Sequence, residues 1–161
     1  MNDALVYYRK CLAIHDDAGV SQKINEILLL QALAKRQNAD LRAELANHPD
    51  RVTSINNLAW FLATTLSEDE RNGDEAWQLA TRACELSHNY PLCMATLAGA
   101  YEEMGQYDKA VATVDEACSR AEKSADEYLL KICRATQSYI HAHLPCYEMS
   151  VYNKLPGTGA N

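Results

Sequence analysis

Apolar side chains recur every three or four residues along YPLCMATLAGAYEEMGQYDKAVATVDEACSRA, residues 90–121. Met94, Leu97, Ala98 and Tyr101 stand at i, i+3, i+4 and i+7, which lines one face of a helix. Tyr107, Ala110, Val114 and Ala117 line a second. Pro91 suits a first helical turn, where its missing N–H is no loss. Gly105 suits a helix end, where the chain must turn through positive φ. The pattern predicts two amphipathic helices joined at Gly105-Gln106-Tyr107. The small residues Ala98 and Ala110 stand where the two backbones have to approach.

The same pattern occurs once more upstream. In VTSINNLAWFLATT (52–65), Ile55, Leu58-Ala59 and Leu62 align with Met94, Leu97-Ala98 and Tyr101. In DEAWQLATRACEL (74–86), Asp74, Ala76, Ala80 and Ala83-Cys84 align with Asp108, Ala110, Val114 and Ala117-Cys118. Asn47-His48-Pro49-Asp50 reads as a stop, with Asp50 placed to cap the helix that follows. Asn72 with Glu75, and Ser124 with Glu127, have the spacing of a capping box. A helix is expected from Ala125 to about Ala142, carrying Tyr128, Leu129, Ile132, Ala135, Tyr139 and Ala142. Residues 1–14 form a helix with Ala4, Tyr8, Cys11 and Leu12 on one face. Helical periodicity continues through 20–35 and 39–46, and the sequence leaves open whether Arg36-Gln37-Asn38 breaks it. Strand-like alternation is nowhere sustained, so the expected fold class is all-α.

Met94, Leu97-Ala98, Tyr101, Gly105, Tyr107, Ala110, Val114 and Ala117 fall on the signature positions of a tetratricopeptide repeat, and the stretch resembles one. It departs at Met94, where Trp is commoner, and at Glu122, where Pro usually closes the repeat. Leu58 and Leu97 lie 39 positions apart, against a family period of about 34. The excess fits the acidic loop 66–73. Asn56-Asn57-Leu58-Ala59-Trp60, Arg71-Asn72-Gly73, Ala83-Cys84-Glu85-Leu86, Thr96-Leu97-Ala98 and Pro145 further resemble C-terminal tetratricopeptide segments of planctomycete-like and verrucomicrobial bacteria. The resemblance implies a right-handed α-solenoid of helical hairpins with a C-terminal capping helix. It spans residues 1–147, with clear repeats at 52–88 and 91–121, a degenerate one at 1–47 and the cap at 125–142. An irregular tail, 148–161, follows.

Composition narrows the function. The formal net charge of −7 lacks the basic stripe that phosphate contacts require and suits an anionic membrane surface no better. No apolar run approaches the ~20 residues of a span. The six cysteines, none in a C-x-x-C pair, read as reduced core residues of a cytosolic protein. His141, His143 and Cys146 offer three metal ligands where a structural zinc site wants four, and a helix end with basic side chains is the simpler reading. Glu68-Asp69-Glu70 lacks the spacing of a calcium loop. No nucleophile elbow or phosphate loop is present. The expectation is therefore no enzyme, no cofactor and no metal. Leu155-Pro156-Gly157-Thr158-Gly159 has the form of a sortase recognition pattern. Chance occurrence, a ligation tag and native anchoring are its three readings.

The resemblance also implies that the first helix of each pair lines a concave face. There stand Thr53, Asn56, Asn57, Trp60 and Thr64, then Leu92, Ala95, Gly99, Glu102 and Glu103. Paired asparagine amides can hydrogen-bond an extended backbone, and a tryptophan is a favoured contact on binding surfaces. The expected partner is a protein or peptide. The basic residues with which relatives clamp a C-terminal carboxylate are missing from these positions. The alternative is a linker or self-assembly segment of a longer protein, docking through Ala4, Tyr8 and Leu12, with a homo-oligomer as one outcome.

Overall fold

The structure, a computed structural model, describes residues 2–14, 18–142 and 146. Helices α1 (Asn2–Ile14), α2 (Ala18–Asn47), α3 (Val52–Thr64), α4 (Gly73–Leu86), α5 (Pro91–Glu103), α6 (Tyr107–Ser124) and α7 (Glu127–His141) make up the fold, with no strand among the described residues. Each helix packs on the next. In addition α3 packs on α5, and α5 packs on α7.

The internal repeat seen in the sequence is matched by burial. Ala59 and Ala98 are both fully buried, as are Ala76 and Ala110, Ala80 and Val114, and Ala83 and Ala117. Small side chains at these positions let the backbones of α3–α4 and α5–α6 come close, so the contacts are made by backbone and β-carbons. Equivalent positions are also complementary. Trp60 and Gly99 occupy the same place in α3 and α5, and the Trp60 ring fills the space where a Gly99 side chain would stand, 3.4 Å from the position of its missing Cβ.

Local signals hold at several ends. Pro91 begins α5. Gly105 takes φ 70°. The Asn72 side chain accepts from the Glu75 N–H at 3.1 Å, but the Asn72 N–H donates to the Leu62 carbonyl at 3.0 Å, and the Glu75 carboxylate pairs with Arg42, with N–O distances of 2.7 and 2.8 Å. Two expected caps differ. Arg51, not Asp50, is the N-cap residue of α3, and it makes no side-chain cap. Asp50 instead accepts from Arg82 of α4 at 2.6 Å. Ser124 is the last residue of α6, and Ala125 turns the chain through φ 54°. Asp126 then caps α7, accepting from the Leu129 N–H at 2.9 Å. A carboxylate two residues nearer the helix displaces the serine as cap.

Helix α2 runs unbroken for 30 residues, about 45 Å at 1.5 Å per residue. Apart from Ser21, its more buried side chains are Val20, Ile24, Ile27, Gln31, Ala34, Asn38, Leu41 and Leu45, spaced alternately four and three apart. α2 packs on both α1 and α3. Ala34, Leu41 and Leu45 reach the core around Leu58 and Phe61. On α1, Leu5 is buried while Ala4, Tyr8 and Leu12 are half-buried.

Candidate functional site

A cleft of about 410 Å³ opens between α3, α5 and α7. Asn56, Asn57 and Trp60 come from α3, and Leu92, Ala95 and Thr96 from α5. Tyr128, Lys131, Ile132, Ala135 and Thr136 come from α7. Helical spacing accounts for each contribution, since 56/57 and 60, 92 and 95/96, and 128, 131/132 and 135/136 each repeat every three or four residues. The hydroxyls of Thr96 and Thr136 are spent within their own helices, donating to the Leu92 and Ile132 carbonyls at 3.2 Å. Asn56 is different. It is only 6 % exposed, and its side-chain oxygen has no hydrogen-bond partner among the described residues. A buried acceptor left unmatched costs free energy comparable to a lost hydrogen bond, and this oxygen is closed off from the cleft's open space.

A second cleft, of about 470 Å³, lies between α2, α3 and the start of the loop after α3. Asn57 and Trp60 form the wall common to both clefts. Among the described residues, Lys131 is the single charged side chain lining either one.

Asn56, Asn57, Trp60, Leu92 and Ala95 thus line one cleft. The remaining expected residues do not join them. Thr53 is exposed and lines neither cleft. Thr64 lines the second cleft with its hydroxyl donating to the Trp60 carbonyl at 2.7 Å. Gly99 lies buried under Trp60, with Cys146 beyond it. Glu102 is 6 % exposed, and its carboxylate accepts from the Cys146 N–H at 3.2 Å. Burial pushes the Glu102 carboxyl above its ordinary range, with the nearby Glu103 charge adding to this and the Cys146 N–H and Arg71 partly offsetting it. Glu103 faces the other way, onto Arg71 at 3.1 Å.

The resemblance implies that α7 is a cap, and its contribution to the cleft is not among the expected site residues. Two stripes run side by side on that helix. Leu129, Cys133, Thr136 and Ile140 are buried, whereas Tyr128, Lys131, Ile132 and Ala135 border the cleft. The second stripe, with its mix of aromatic, charged and aliphatic residues, was the available signal.

Other candidate chemistry is dispersed. His141 Nε2 lies 2.8 Å from Asp115 Oδ1, while Cys146 is buried against α5 and α6 residues Ala98, Ala110 and Val114. His143 lies outside the described residues, among which no group of ligands suits a metal. The cysteines are free. Five are buried and Cys11 half-buried. Burial holds the Cys84 and Cys146 thiols up at about 12 and Cys133 at about 11, the protonated and unreactive form. Residues 148–161, with the Leu155–Gly159 motif, also lie outside the described residues. No helix among the described residues is long and apolar enough to cross a membrane. No family model, curated protein or solved structure matches the chain.

Proposed function

We propose that the chain is a non-catalytic interaction module, a right-handed α-solenoid of tetratricopeptide-type helical hairpins that binds an extended peptide in the cleft between α3, α5 and α7. The observation that carries this reading is the meeting of Asn57, Trp60, Leu92, Tyr128 and Ile132, from three helices, in one cleft of about 410 Å³. Asn57 is exposed on this cleft and can both donate to and accept from a peptide backbone. Leu92, Ile132 and the Trp60 ring supply apolar contact for one or two side chains. Contacts between α3 and α5, and between α5 and α7, support the stacked arrangement, since they bring alternate helices into one layer. The cytosol is the compartment that best suits six free thiols.

The test is selection from a displayed library of random linear peptides, followed by affinity measurement on the enriched sequences. Tyr128→Ala with Lys131→Ala removes two exposed side chains that line this cleft alone. It is expected to weaken binding about tenfold or more, the effect of losing about 1.4 kcal/mol. Enriched peptides whose affinity is the same for the variant would contradict the reading.

A further inference from the structure

The cleft between α3, α5 and α7 holds one fixed charge and no counter-charge. Of its eleven lining residues Lys131 alone is charged, and no carboxylate lines it among the described residues. Elsewhere in the α3–α7 block the arginines are matched. Arg71 meets Glu103 at 3.1 Å, Arg82 meets Asp50 at 2.6 Å, Arg120 meets Glu116 at 2.7 Å and Arg134 meets Glu122 at 3.0 Å. Lys109 donates to Gln106 at 2.8 Å and lies over the Tyr101 ring. Lys131 is exposed and makes no hydrogen bond or ion pair among the described residues. Lys123 is also unpaired there, but it lines neither cleft. Tyr128, three residues before Lys131 on α7, is 75 % exposed, and its hydroxyl has no partner among the described residues either. Residues three apart are neighbours on a helix surface, so the α7 wall offers an ammonium and a phenol together, both able to donate.

None of the acids on the three helices neutralises that ammonium. Asp126 caps α7 on the Leu129 N–H at 2.9 Å. Glu127, one turn before Lys131, is exposed, forms no ion pair with it and does not line the cleft. On α5 the carboxylates come only at the far end, Glu102 on the Cys146 N–H and Glu103 on Arg71. Helix α3 carries no charged residue. The net charge of −7 opposes an anion at long range, but at ~0.15 M salt fields are screened beyond about 8 Å. At the cleft wall itself the charge that a ligand meets is that of Lys131.

We propose, resting on the peptide reading above, that the peptide bound in this cleft carries an internal aspartate or glutamate beside an aliphatic residue. Its carboxylate accepts from the Lys131 ammonium and the Tyr128 hydroxyl, and the aliphatic side chain sits on Leu92 and Ile132. Asn57 on the α3 wall holds the backbone, so what reaches the α7 wall is a side chain. Lys131 and Ile132 adjoin on α7, so the two peptide residues lie within about two positions of each other, ~7 Å along an extended chain. A lysine or arginine in place of the acid meets the Lys131 ammonium with no carboxylate lining the cleft to relieve it, so basic peptides are rejected.

The probes are the leading sequences from the displayed library, synthesised with acetylated and amidated ends so that side chains carry all of their charge. They are expected to hold Asp or Glu within two positions of Leu, Ile, Val or Met, and to lack Lys and Arg there. Replacing that acid by its amide is expected to weaken binding to the full chain about fivefold, the scale of a partly exposed ion pair. Against Lys131→Gln the acid and amide peptides are expected to bind alike, and against Lys131→Glu the amide peptide more tightly. Lys131→Gln that weakens both peptides equally overturns the proposal, since the lysine would then act on the fold and not on the acid. Equal affinity of the acid and amide peptides for the unmodified chain overturns it while leaving the peptide site standing. So does binding that needs a free C-terminal carboxylate. A library that yields no binder overturns this proposal and the peptide site together.

Discussion

In α3, nine of thirteen residues are buried; in α2, Ile24 alone of thirty is. Both are helices of ordinary composition, and the difference lies in what surrounds them. Helices α3 to α7 each meet neighbours on at least two sides, and their alanines, cysteines and Gly99 let backbones approach. The α1–α2 hairpin meets the rest of the chain along one seam. It leaves Val6, Tyr7, Leu28, Leu29, Leu30 and Leu33 at 37 % exposure or more. In the first region most side chains hold the fold, and those left over gather in the cleft between α3, α5 and α7. In the second, burial is sparse and the large apolar side chains stay exposed.

Paired substitutions can break that comparison. Leu58 is fully buried at the centre of the α3–α4 pair, and Leu58→Ala is expected to destabilise by about 3 kcal/mol, as the cavity it leaves cannot collapse among alanines. Leu33→Ala removes the same atoms from a half-exposed position and is expected to fall within about 0.5 kcal/mol of zero. Urea unfolding of the two variants measures both. Equal losses would mean that α2 is packed as tightly as α3.

A smaller effect is expected at Glu102. Its carboxyl is raised by burial, so the folded chain holds that proton more tightly than the unfolded chain does. The stability tied to this group is fully present below the unfolded carboxylate pKa and is lost as pH rises through the folded one. Near neutral pH the buried charge is therefore a net cost. Glu102→Gln keeps an oxygen to accept the Cys146 N–H and removes the charge, so thermal unfolding at pH 7 is expected at a higher temperature than for the unmodified chain. The gap should close as pH falls toward 4. A lower midpoint at pH 7 would show that the charge is needed where it stands.

The sequence shows the α3–α6 block clearly because its burial follows apolar identity: Ile55, Leu58, Ala76, Ala80, Ala110 and Val114 are both the periodic residues and the buried ones. It shows α2 poorly. The stripe that packs there includes Gln31 and Asn38, and polar residues at those positions hide the continuity of the helix. Asn38 is kept at the seam by hydrogen bonds, accepting from Arg42 at 2.9 Å and donating to Glu70, which apolar periodicity does not register. The candidate site was half legible for a related reason. Of the residues that the resemblance places on a concave face, Asn56, Asn57 and Trp60 line a cleft, whereas Gly99 and Glu102 on α5 are covered, by Trp60 and by Cys146. Cover supplied by a tryptophan 39 positions upstream and a cysteine 44 positions downstream is a tertiary fact with no local signature.

Hydrogen exchange of the full chain, with and without a peptide selected for binding, tests the central claim most directly. The account predicts slowed exchange on α3, α5 and α7 around residues 56–60, 92–96 and 128–136, with α4 and α6 unchanged. Protection confined to α4 and α6, or spread evenly over the chain, would contradict it.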